Sequence, residues 1–151
     1  MEKSGQATGA TRLMLVRHAP AIHDGRLAGR RDIPADLSDH AALGWLWSRL
    51  ADHWPDHVLV SPARRCLWTA CALFTIEETR ADPRLWEQDL GAWEGLPLAE
   101  LPDLGPLSGD ALAAHRPPGG ESFADVIARA SPVFRSATGT TLIIAHAGIV
   151  R

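Results

Sequence analysis

Three short apolar runs each break off into cationic or imidazole residues, and this repetition constrains the chain more than any other feature. Arg12-Leu-Met-Leu-Val16 runs into Arg17-His18, and Val58-Leu-Val60 runs into Ser61-Pro-Ala-Arg64-Arg65. Thr141-Leu-Ile-Ile-Ala145 runs into His146. None of the three alternates polar with apolar, so each reads as a strand covered on both faces. Helical patterning lies between them. Leu43, Leu46, Trp47, Leu50 and Trp54 make one apolar stripe, and residues 65–73 have helix-compatible composition. Ser122-Phe-Ala-Asp125 has the form of a capping box, and Phe123, Ile127, Ala130 and Phe134 continue one face beyond it. Pro132 predicts a kink or a break there. The Pro- and Gly-rich stretch 97–120 reads as a loop or lid. Strand–helix alternation predicts an α/β fold: a three-layer open sheet, mostly parallel, with helices on both faces. Ligands bind beyond the carboxyl ends of such strands, where Arg17, His18, Arg64, Arg65 and His146 fall.

A chain of 151 residues is one domain's worth. Its formal charge of −3 gives no global field favouring nucleic acid or an anionic membrane, so neither is expected as a partner. No apolar run approaches the ~18 residues of a membrane span. The opening Met1–Ala10 lacks the apolar stretch of a secretory signal. Cys66 and Cys71 are too few and too awkwardly spaced for a zinc site or a disulfide framework; both are expected as reduced core thiols of a cytoplasmic protein. His53 and His57 are the one histidine pair four apart, and Pro55 between them argues against a helical metal site. No metal and no cofactor are expected. His40, His53, His57 and His115 are expected to face solvent, and Trp45, Trp47 and Trp68 to lie in the core. Trp86 and Trp93 could be core or ligand platform.

Leu15-Val-Arg-His-Ala19 resembles the signature block of the histidine phosphatase superfamily, the phosphoglycerate-mutase-like fold, with Ala19 where that family usually has glycine. The block Ser61-Pro-Ala-Arg-Arg-Cys-Leu-Trp-Thr-Ala70 resembles its second motif and aligns Arg65 with the functional arginine, leaving Arg64 as a surface neighbour. The segment from Leu85 to Gly95 is similar to the block whose first glutamate supplies the acid, here Glu87, with Asp89 and Glu94 as rivals. Pro118-Gly-Gly-Glu-Ser122 and Ile144-Ala-His-Ala-Gly148 resemble two further blocks. All five occur in family order.

The resemblance implies hydrolysis of a small phosphomonoester through a phosphohistidine on His18. Arg17, Arg65 and His146 would hold the phosphoryl group, and Glu87 would act as acid and then base. The residue types suit that chemistry. Arginine forks neutralise non-bridging oxygens in a bidentate geometry. A neutral imidazole attacks through one nitrogen when the other is held as N–H. His23, Arg30 and Arg31, in the loop after the first block, are candidates for substrate contact. A mutase and a non-catalytic phosphate-binding module are the alternatives; the short interval between Glu87 and His146 favours hydrolysis over the mutase. The Gly29–Pro34 loop and the Pro117–Ser122 block look like the α-ribazole phosphatase branch. The expected partner is a small phosphorylated substrate, with a homodimer left open. Relatives in that family continue past the equivalent of Gly148 into a helix and further elements. The chain, ending at Arg151, is therefore expected to be a single C-terminally truncated domain of marginal stability.

Overall fold

The computed structural model describes residues 10–151. A strand buried on both faces belongs inside a sheet, and β4 (Thr140–Ala145) lies there, with Thr141 to Ala145 all buried. β1 (Arg12–Arg17) and β2 (His57–Val60) flank it, and β3 (Thr79–Ala81) pairs outside β2. The order is β1-β4-β2-β3, with every pairing parallel. Register aligns Arg17 with Ala145 and Val60 with Ile144. The residues that follow the three central ends therefore emerge at one level: His18 N–H donates to the Ala145 carbonyl at 2.9 Å and Ser61 N–H to that of Ile144 at 3.0 Å.

Alternate residues of β4 feed two cores. Leu142 and Ile144 pack with Val58, Val60 and the helices α1 (His40–Ala51) and α2 (Arg64–Cys71), through Leu50, Cys66 and Ala70. Ile143 and Ala145 pack on the other face with α4 (Phe123–Arg135), through Val126, Ala130 and Val133, and with Ile149 of α5 (Ala147–Val150). Helices thus cover both faces of a parallel sheet, as the sequence pattern predicts. Each aliphatic side chain buried this way contributes about 1.5–3 kcal/mol. No helix among the described residues is long and apolar enough to cross a membrane.

Several local expectations are corrected. β1 is an edge strand covered on one face only: Met14 and Val16 pack inward, while Leu13 and Leu15 remain 40% and 39% exposed. α4 runs unbroken through Pro132. The carbonyl that loses its donor there belongs to Ala128, and both residues are exposed, so water can serve it. The buried line of α4 is Val126-Ala130-Val133, leaving Ile127 exposed. Residues 97–120 are not all loop. They hold a 3₁₀ turn at Leu98–Glu100 and α3 (Gly109–Ala114), whose N-cap Ser108 accepts from Ala111 N–H. Trp45, Trp47 and Trp68 are exposed rather than core, and Cys71 is exposed while Cys66 is buried. β3 carries only Thr-Arg-Ala and offers no apolar pattern to read.

Candidate active site

The common level of the strand ends brings His18, Ser61 and His146 together. His18 is nearly buried, and its Nδ1 lies 2.6 Å from the Ala19 carbonyl. A carbonyl only accepts, so Nδ1 carries the proton and Nε2 keeps a free lone pair. Burial drives the His18 pKa down to about 4, and the Arg65 and Arg17 charges push the same way. The ring is therefore neutral at pH 7. The Ala19 backbone is held from below: its N–H donates to Thr69 Oγ1 at 2.9 Å, and that hydroxyl donates to the Arg65 carbonyl at 2.7 Å. Neither Ala19 nor Ala147 has a positive φ, so a Cβ after each histidine brings no backbone strain.

Arg65 points inward from the first turn of α2 and is 1% exposed. Its Nη1 donates to the Arg31 carbonyl at 2.9 Å and its Nη2 to that of Gly29 at 2.8 Å. Two of the guanidinium's five N–H groups are committed this way. The rest of the group faces a cavity of about 710 Å³ that Arg17, His18, Glu87 and Gly148 also line. Arg64, one residue earlier, turns outward over the Trp68 ring at 5.2 Å.

His146 is fully buried and does not line the cavity. Its ring lies edge-on to His18 with centroids 5.2 Å apart, and Trp86 stacks on its other side at 6.3 Å. Its Nε2 and Ser61 Oγ share a hydrogen bond of 2.8 Å. Burial and the Arg65 charge hold this imidazole neutral, further below its ordinary pKa than His18.

Glu87 reaches the cavity from a loop pinned at several points. Its carboxylate accepts from Gln88 N–H at 3.0 Å and packs where a Cβ on residue 148 would stand, so a larger residue there would displace the carboxylate. Its carbonyl accepts from Arg129 Nη2 at 3.0 Å and Arg30 Nε at 3.3 Å. Glu121 locks both arginines, at 2.9 Å to Arg129 and 3.1 Å to Arg30. Burial opposes ionisation of Glu121, but the Arg129 pair overrides it and holds the carboxyl below its usual range. The rivals serve the loop instead. Asp89 Oδ1 accepts from Gly91 N–H, and Glu94 Oε1 from the N–H groups of Arg30 and Leu90.

Of the candidates for substrate contact, His23 lines the cavity, with Nδ1 accepting from Gly25 N–H at 3.1 Å. Arg30 and Arg31 do not line it. Arg30 is tied to Glu121 and Glu87, and Arg31 supplies a carbonyl to Arg65 and donates Nη1 to Leu27. His115, expected in solvent, is instead half-buried against Trp93, with ring centroids 5.4 Å apart, and lines the cavity. Ser61, Thr69, Glu121 and Arg129 also build the site, and the sequence pattern does not mark them for it. Spacing offered one clue: Thr69 lies four after Arg65, on the same face of α2. The Glu121–Arg129 clamp has no local signature in the sequence.

Comparison with known proteins finds the fold and the family. The mycobacterial glucosyl-3-phosphoglycerate phosphatase, in a structure complexed with VO3, superposes with a TM-score of 0.78 at 29% identity, covering 93% of this chain and 78% of that one. Bacillus stearothermophilus YhfR gives a TM-score of 0.75 at 30% identity, covering 93% and 76%. The fructose-2,6-bisphosphatase TIGAR of Xenopus tropicalis is 37% identical over 84 residues, which are 52% of this chain and 30% of that protein. The chain thus matches under a third of the length of that curated relative. The family model of the histidine phosphatase superfamily (branch 1) matches residues 13–151. With five sequence blocks converging on one cavity at the strand ends, the chain belongs to that superfamily.

Proposed function

We propose that the protein hydrolyses a small phosphomonoester through a phosphohistidine on His18. The observation that carries this reading is the Nδ1 contact with Ala19, which leaves Nε2 as a neutral nucleophile in a cavity shared with Arg17, Arg65 and Glu87. Nε2 attacks phosphorus, and the bond from phosphorus to the ester oxygen breaks. Arg17 and Arg65 neutralise the non-bridging oxygens, and Glu87 delivers a proton to the leaving alkoxide. Water then attacks phosphorus as the Glu87 carboxylate takes a proton from it, the P–N bond breaks with its electron pair returning to Nε2, and inorganic phosphate leaves with His18 neutral again. His146 packs edge-on to His18 and helps fix that ring's position; its donation to the phosphoryl group requires its Nε2 to leave Ser61. The phosphatase names of the relatives support hydrolysis. The resemblance of the Gly29–Pro34 loop to the α-ribazole branch adds α-ribazole phosphate to the substrate panel.

The test is turnover of p-nitrophenyl phosphate together with detection of phosphohistidine after rapid alkaline quench. Wild type is expected to turn over with full activity in EDTA, and with inhibition by vanadate. His18→Ala is expected to lose both turnover and label. Binding without any label would make the site a phosphate-binding module, and a requirement for added divalent ion would remove this mechanism.

A further inference from the structure

We infer that the phosphorylated alcohol this site accepts has an apolar body, aliphatic or aromatic, rather than a polyhydroxylated one. The inference rests on the hydrolytic reading and specifies its substrate class. The cationic end of the cavity is continuous with an outer wall of different character, built by Leu27, Leu90, Trp93, Leu98, Leu104 and Leu112. Two of these are far more exposed than large aliphatic residues in a core: Leu98 is 49% exposed and Leu112 is 55% exposed. α3, which carries Leu112, buries none of its residues. A leucine held beside a cavity without a core to fill contributes little to stability, and a ligand is what would cover it.

Some polar groups of the cavity are held by the chain itself, while Arg26 keeps further donors and Arg151 also lines it. Gln88 Nε2 donates to the Glu121 carbonyl at 2.7 Å, Arg26 Nη1 donates to that of Gly95 at 2.8 Å, and His23 Nδ1 accepts from Gly25. His115 is different: its Nε2 is buried with no hydrogen-bond partner, and its ring lies against Trp93. The wall therefore offers a broad apolar surface and a flat aromatic pair. A sugar lying against the leucines would bury hydroxyls without partners, each costing about tenfold in affinity. An alkyl or aryl group would gain instead, about three- to fourfold for each methylene covered.

Two measurements on the purified chain decide the point. The first is kcat/KM for straight-chain alkyl phosphates from methyl to hexyl, with naphthyl phosphate and a hexose phosphate alongside. The second is calorimetric binding of the matching non-hydrolysable alkyl phosphonates. Specificity is expected to rise about three- to fourfold per carbon over the first several carbons, with the hexose phosphate at least tenfold below hexyl phosphate. The double variant Leu98→Ser/Leu112→Ser, at two exposed positions, is expected to flatten the slope in both assays. A flat series with the hexose phosphate equal or better overturns the inference while hydrolysis stands. Phosphonate binding that strengthens with length, without turnover of any ester, supports the ligand class and removes the hydrolytic reading.

Discussion

Two adjacent arginines, Arg64 and Arg65, illustrate how much a single position decides. Arg65 is enclosed, with two carbonyls fixing its fork, whereas Arg64 stacks on an exposed tryptophan. Arg65→Ala is expected to lower kcat by about 10²–10³, the cost of removing one preorganised charge from the transition state, with Arg64→Ala within a few-fold of wild type. Equal losses in steady-state assays would reverse the register. The register of the resembled motif marks Arg65, whereas the strand-end pattern alone leaves Arg64 and Arg65 equivalent. The sequence could not carry the fate of Arg30 and Arg31. Both sit in a loop whose path is set by Glu121 and Glu94, residues far away in the chain. His18 gives a second expectation. Its imidazole should titrate near pH 4 by NMR, because burial and two guanidinium groups disfavour its charged form. A midpoint near the ordinary 6.5 would mean that the ring is solvated.

At the scale of elements, capping chemistry proved readable and proline did not. Ser122 Oγ accepts from Asp125 N–H at 3.2 Å, and the Asp125 carboxylate accepts from both Ser122 N–H and its hydroxyl. The sequence foretells this box because its partners are three residues apart. Ser122→Ala is expected to cost about 1 kcal/mol, or roughly 2–4 °C in Tm for a domain of this size, by thermal denaturation. Pro132 breaks nothing, because the carbonyl it orphans lies at the surface, a property of tertiary placement rather than of local sequence. The exposed tryptophans of α1 misled for the opposite reason: helical spacing gives a stripe's direction, but not how much of it a neighbouring element covers. α3 escaped notice because six residues are too few to show a period.

For the molecule as a whole, the parallel sheet and its two-sided helical cover followed from three apolar runs, whereas the polar edge strand β3 gave no sign of itself. Keeping two imidazoles neutral in the interior also sets the domain's acid sensitivity. An unfolded histidine takes up a proton below about pH 6.5, and His18 in the folded state resists until about pH 4. Stability should therefore fall as pH drops through that window, by roughly 3 kcal/mol from His18 alone, with His146 adding in the same direction. Urea midpoints measured between pH 7 and pH 4.5 are expected to decline steadily. A flat profile would mean that both rings charge without unfolding. Strand order carries another consequence, for the moment of synthesis. β1 and β2 have no bond to each other; each pairs with β4, whose residues leave the ribosome more than a hundred positions after those of β1. A nascent chain therefore holds unpaired strand edges, and the candidate site stays unassembled, until β4 has emerged. A ribosome that stalls before Thr140 therefore leaves a client for chaperones rather than a smaller folded domain.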